Sequence, residues 1–104
     1  MSIGIHKAIR VMDGSGAIKK SMDISKTEAI RLRMIGDDVV VCGDDLKSNR
    51  KIAQEIEAAV GPYVRHVPHI SSGVLALPHF QQLNPPPVGH TFYEAEFRRV
   101  KGTF

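Results

Sequence analysis

Four histidines fall within one stretch of the C-terminal part of the chain, and each lies near a residue that favours loops. They occur as His66-Val67-Pro68-His69, Pro78-His79 and Gly89-His90. An imidazole with its ordinary pKa of about 6.5 takes up and releases protons near neutral pH. Loops on a rigid scaffold frequently carry functional residues. These four histidines are therefore our candidates for proton transfer, with at least two of them converging on one site.

Two histidines and a cation are sufficient for RNA cleavage without a metal. One group removes the proton from a ribose 2′-hydroxyl, a second protonates the leaving 5′-oxygen, and a cation stabilises the phosphorane-like charge. Arg65, beside His66, is the predicted cation, and Tyr93 is a candidate for orienting or stacking on the substrate. Residues 62–93 contain no carboxylate, which suits a polyanionic substrate such as RNA. The same absence argues against a magnesium or calcium site.

Two other interpretations of the histidines stay open. Three imidazoles can bind a zinc or nickel ion, although His66-x-x-His69 lacks the helical context of strong zinc motifs. A non-enzymatic interaction module would instead use Phe80, Phe92 and an extended loop at residues 84–87 as its partner surface, with structural histidines. No P-loop or dinucleotide fingerprint is present. The leading prediction, a metal-independent ribonuclease site, therefore includes neither a cofactor nor a bound metal.

The composition indicates one ordinary globular domain. The chain has 104 residues, with 42% hydrophobic and 24% charged residues and a net charge of +3, which fits a single core at residues 1–104. One cysteine, Cys42, excludes an intrachain disulfide framework. No apolar run is long enough to span a membrane. The N-terminus lacks a continuous apolar signal segment, so we expect a cytoplasmic chain unless a larger protein delivers it.

The predicted fold is α+β, with N-terminal helices followed by a small, mostly antiparallel sheet. Residues 1–60 hold ten basic and nine acidic residues and are predicted to be mainly helical, whereas residues 61–104 form strands and loops that carry the site. Caps and periodicity predict the individual elements. These are a helix from Ser25 to about Ile35, a buried strand Val39–Cys42, a helix at about Leu46–Val60, a strand at 63–67, and a long strand or hairpin arm at 91–100.

Basic residues elsewhere are predicted to be solvated. Lys47, Arg50 and Lys51 open the second helix, and Arg31 and Arg33 lie in the first. Because they alternate with acidic residues, an ordinary charged surface is the expected role for them.

The chain contains the motifs Asp38-Val39-Val40-Val41-Cys42-Gly43-Asp44-Asp45, Leu77-Pro78-His79-Phe80-Gln81 and Gly89-His90-Thr91-Phe92-Tyr93-Glu94. These motifs resemble segments of C-terminal toxin modules of bacterial polymorphic toxins of the RHS-repeat type. The resemblance covers about residues 37–94, in segments 38–45, 49–57, 66–69, 77–81 and 89–94. Such modules are commonly nucleases that are delivered into competitor cells and inhibited by a cognate immunity protein. The resemblance therefore implies a small nuclease, most simply a metal-independent ribonuclease, with RNA as substrate and an immunity protein as partner.

Overall fold

The protein is an α+β domain with a mixed sheet and two helices. The computed structural model describes residues 3–68, 73, 75–95 and 99–103. Within these residues the elements are β1 (Gly4–Arg10), β2 (Ile18–Ile24), α1 (Lys26–Met34), β3 (Val39–Cys42), α2 (Leu46–Val60), β4 (Tyr63–His66), β5 (His79–Gln82), β6 (Thr91–Tyr93) and β7 (Gly102–Thr103). In the part of the chain that is described, neither helix is long and apolar enough to cross a membrane.

The predicted order, with helices before the sheet, is wrong. The chain begins with the antiparallel hairpin β1–β2, and both helices come after these strands. The strand order is β4-β5-β6-β3-β1-β2-β7, with β3–β6 and β2–β7 parallel and the other pairs antiparallel. The hairpin was missed because it includes charged residues such as Lys7, Lys19 and Lys20, which are only partly buried and weaken the apolar alternation expected of a strand.

Both predicted helices are confirmed, with small changes at their ends. Ser25 caps α1 by accepting a hydrogen bond from the Glu28 backbone N–H at 3.1 Å. That helix ends at Met34, slightly before its predicted end. Asp45 caps α2, accepting from the backbone N–H of Ser48 at 3.3 Å. These side chains satisfy N–H groups that have no partner within the helix.

Hydrophobic residues pack on both faces of the sheet around β3, the predicted buried strand, which is confirmed. All four residues of Val39–Cys42 are buried. Because alternate side chains point to opposite faces, Val39 and Val41 join the core beneath the helices, whereas Val40 and Cys42 join a second cluster. The first core also contains Ala29, Leu32, Ala53, Ile56, Phe80 and Tyr93. The second cluster also contains Ala8, Ile18, Leu77 and Phe92. We call the faces the helix face and the cleft face.

The C-terminal part is less regular than predicted. Of the expected long strand at 91–100, the described residues form a strand at Thr91–Tyr93, and residues 96–98 lie outside the described residues. Glu94 ends it, since its carboxylate accepts hydrogen bonds from the backbone N–H groups of Gly43 and Val100. The predicted extended connector at 84–87 bends on both sides of Pro85.

Candidate active site

Three of the four predicted histidines meet on the cleft face of the sheet. His66 on β4 pairs with His79 on β5, and His79 pairs with Phe92 on β6. Directly opposed residues of neighbouring strands project to the same face. The ring centroids of His66 and His79 are 5.5 Å apart, and those of His79 and His90 are 4.2 Å apart. The strand register therefore builds a continuous row of imidazoles, which we call the histidine row: His66, His79 and His90.

Arg10 and Asp38 hold the end of the histidine row. His90 precedes β6, and its backbone N–H donates to Asp38 Oδ1 at 2.8 Å. Arg10 binds the same carboxylate through Nε at 2.9 Å and Nη2 at 3.1 Å, and its Nη2 also contacts His90 Nδ1. A guanidinium can only donate hydrogen bonds. His90 Nδ1 is therefore the acceptor, and the proton of the neutral ring lies on Nε2.

One edge of Arg10 remains available to a ligand. Its Nε and Nη2 groups are used by Asp38 and His90, and its carbon Cζ lies 5.7 Å from the centroid of Phe92. The Nη1 group forms no hydrogen bond with the described residues, and the side chain is 45% exposed. A guanidinium fixed in this way presents two N–H donors to an anion such as a phosphate.

Burial keeps the inner histidines of the row neutral at physiological pH. It lowers the pKa of His90 to about 4; the positive charge of Arg10, and that of His79 when it is protonated, lower this pKa further, and Asp38 opposes them. Burial also lowers the pKa of His79, opposed by hydrogen bonding to the Gln81 side chain and the backbone of Leu77. Neutral imidazoles can accept a proton or donate an N–H hydrogen bond without first losing a proton to water.

The histidine row opens into a cleft of about 580 Å³, a size typical of ligand sites. Its polar lining comes from Arg10, Gln81 and the histidine row, and its apolar lining includes Leu77 and Phe92. No acidic residue belongs to the described lining of this cleft. The combination of one cation, three imidazoles and a flat aromatic side chain suits an anionic ligand with an attached ring.

Two other predicted site residues, Arg65 and Tyr93, do not line this cleft. Arg65 and Tyr93 point to the helix face, where Arg65 Nη1 donates to the Tyr93 hydroxyl at 3.4 Å. Their register explains this, because Arg65 pairs with Phe80 and is therefore one position out of step with His66. Arg10, and not Arg65, is the arginine among the described residues that line the cleft. His69 lies outside the described residues.

A buried ion pair supports the loop that carries His90. Arg33 and Glu57 are both fully buried, with Arg33 Nε donating to Glu57 Oε1 at 2.9 Å. Arg33 also donates to the carbonyl oxygens of Val88 at 2.8 Å and Gly89 at 3.1 Å. Glu57 accepts from the Thr91 hydroxyl at 2.7 Å. The pair therefore ties α1 and α2 to both sides of His90.

Gly89 is required by the same close packing. Its φ of +93° is one that residues with side chains rarely adopt, and an added Cβ would lie 2.7 Å from the Gly36 carbonyl oxygen.

Arg33 was predicted to be solvated, and this prediction is wrong. The sequence signal that could have indicated burial is weak: Arg33 lies between the apolar residues Leu32 and Met34 in α1, and Glu57 follows Ile56 at an inward position of α2.

The lowered pKa of His90 predicts a pH-dependent stability. The unfolded chain binds this proton with an ordinary pKa of 6.5 and the folded protein with a pKa of about 4. The free energy of unfolding should therefore fall as the pH drops from about 6.5 to about 4. Urea unfolding at several pH values measures this slope. The variant His90→Gln should have a shallower slope over that interval, and an unchanged slope would contradict the assignment.

Comparisons with known proteins identify no relative for this arrangement. Among the described residues, no three His, Cys, Asp or Glu side chains are grouped to hold a metal ion. No family model matches the chain, and neither a curated protein nor a solved structure is similar to it.

Proposed function

We propose that this protein is a metal-independent ribonuclease whose active centre is the histidine row with Arg10. The observation that carries the proposal is the convergence of His66, His79, His90 and Arg10 in one cleft without acidic residues in its described lining. Cleavage of RNA needs a base, an acid and a cation within reach of one phosphate. This cleft has candidates for all three.

The lowered pKa of His79 and the exposure of His66 support a specific division of roles. His79 is the base, because its lowered pKa leaves it unprotonated at neutral pH, and it takes the proton of the ribose 2′-hydroxyl. The 2′-oxygen then bonds to phosphorus as the bond from phosphorus to the 5′-oxygen breaks. His66, which is exposed at the outer end of the row, gives a proton to that leaving oxygen. The products are a 2′,3′-cyclic phosphate and a free 5′-hydroxyl.

Arg10 and His90 stabilise the charge that develops on the phosphoryl oxygens. The Nη1 donors of Arg10 and the Nε2–H of His90 are the groups available for this. Donors that are already oriented need no rearrangement when the charge appears. Asp38 fixes the plane of the guanidinium, and Phe92 offers a ring surface on which a base can stack.

The resemblance of residues 37–94 to polymorphic toxin modules suggests a biological setting for this activity. In that setting the domain is delivered into a competing bacterium as part of a larger protein, and an immunity protein inhibits it in the producer. We include this role in the proposal.

A cleavage assay with untagged protein tests the proposal. Single-stranded RNA and DNA of the same sequence are incubated with the protein in EDTA. RNA should be cut and DNA should stay intact, since only RNA supplies the attacking 2′-hydroxyl. RNA that stays intact at equimolar protein, or that is cut only after metal is added, would overturn it.

A further inference from the structure

A second groove with basic walls adjoins the cleft across residues 67 and 68. Val67 and Pro68 line both the cleft beside the histidine row, which we call the histidine cleft, and a shallow groove on the other side of the edge strand β4. The neighbouring concave surface along α2 continues this groove, sharing Lys47 and Arg50 with it. We call these two surfaces together the basic groove.

Four cations converge on the basic groove from two elements. Lys47, Arg50 and Lys51 lie at spacings of three and four residues on α2 and so share one face of the helix. Arg65 on β4 reaches the groove from the sheet. All four side chains are exposed. Because the cluster combines residues of α2 with one residue of β4, the order of charges along the chain could not predict it.

These cations are not neutralised by close acidic partners. Within the described chain, none of the four forms a salt bridge, whereas Lys26 and Arg31 on α1 are paired with Glu55 and Glu28. No acidic residue is among the described residues that line the basic groove. Two carboxylates act on these cations only at longer range. Asp45, which caps α2 through Ser48, acts on Lys47, and Glu55, which is paired with Lys26, acts on Lys51.

We infer that the basic groove binds the backbone of single-stranded RNA next to the nucleotides held in the histidine cleft. This inference rests on the proposed ribonuclease function and adds to it a substrate class: a strand of several nucleotides instead of a dinucleotide. A groove of exposed cations that adjoins a candidate catalytic cleft is suited to follow a phosphate backbone out of that cleft. Electrostatic attraction of this kind does not depend on base sequence.

The test measures binding separately from cleavage. The probe is a fluorescent 2′-O-methyl RNA of twelve nucleotides, which cannot be cut because its 2′-oxygens are blocked. Fluorescence anisotropy gives its Kd for the full chain over a range of salt concentrations. The double variant Lys47→Gln/Arg50→Gln should raise the Kd about 25-fold at 0.1 M salt and make the salt slope shallower by about 1.4, at about 0.7 per phosphate contact. The matched control Lys26→Gln/Arg31→Gln removes the same charge and should leave both nearly unchanged.

The outcomes separate this inference from the proposed function. If both double variants weaken binding equally, net charge alone explains it and the groove assignment is overturned. If a poly-glutamate chain of matched charge binds as tightly as the RNA probe, the groove is a site for acidic proteins, and the inference that it binds RNA is overturned. If the protein cuts RNA in EDTA but the variant Lys47→Gln/Arg50→Gln binds the probe with the wild-type Kd, only the inference about the basic groove is overturned. If RNA stays intact while the variant Lys47→Gln/Arg50→Gln loses binding of the probe, the inference about the basic groove holds and the proposed ribonuclease function is overturned.

Discussion

Replacing His79 with alanine is expected to lower the rate of RNA cleavage in EDTA by roughly 10²- to 10⁴-fold, the usual contribution of a positioned acid or base. His79 is central in the histidine row, 5.5 Å from His66 and 4.2 Å from His90 between ring centroids. Its loss removes the proposed base. Replacing His90 with alanine removes an oriented N–H donor, and the expected loss is roughly 10²- to 10³-fold. Initial rates on a fluorogenic RNA measure both effects.

The fifth histidine supplies a matched control for these variants. His6 lies on β1, where its Nδ1 is 2.7 Å from Asp23 Oδ1, and it does not line the histidine cleft. The variant His6→Gln should therefore retain cleavage. Circular dichroism and thermal melting establish that each variant is folded before its rate is compared. Cleavage at the wild-type rate by folded His79→Ala would contradict the mechanism.

Breaking the buried pair of Arg33 and Glu57 is expected to cost about 3–5 kcal/mol of folding free energy, because one charge is left buried without its partner. Both side chains are fully buried, and Glu57 also accepts a hydrogen bond from Thr91. Arg33→Ala and Glu57→Ala should each lower the urea midpoint strongly. For a domain of this size that loss is a large share of the total stability.

A double-mutant cycle isolates the pair from the rest of the network. The variant carrying both substitutions should lose much less stability than the sum of the single losses, since no unpaired charge remains. The exposed pair of Glu28 and Arg31 is the control, and Arg31→Ala should change the urea midpoint only slightly. Equal losses from Arg33→Ala and Arg31→Ala would contradict the role given to the buried pair.

The sequence correctly predicted those elements that depend on residues close together in the chain. The cap at Ser25, the buried strand Val39–Cys42 and the apolar face of α2 all follow from neighbouring residues. The hairpin β1–β2 was missed because its strands carry partly buried charged residues. Within the described residues, the strand predicted at 91–100 ends at Tyr93, because the Glu94 carboxylate accepts a hydrogen bond from the backbone N–H of Gly43, which is remote in sequence.

The candidate site could likewise be predicted from the sequence only in part. The histidines were found from their type and spacing, and three of them converge through the register of β4, β5 and β6. Arg10 was not predicted, because it lies at the end of a strand 80 residues before His90 and only the sheet order joins them. Arg65 was chosen as a sequence neighbour of His66. Successive strand residues point to opposite faces, so that proximity was misleading.

The chemical identity of the RNA ends tests the central claim most directly. A short RNA is digested in EDTA, and the products are analysed by mass spectrometry and ³¹P nuclear magnetic resonance. Attack by the 2′-hydroxyl, with His79 as base and His66 as acid, predicts fragments that end in a 2′,3′-cyclic phosphate and begin with a 5′-hydroxyl. Fragments with 3′-hydroxyl and 5′-phosphate ends, or no cleavage at all in EDTA, would contradict it.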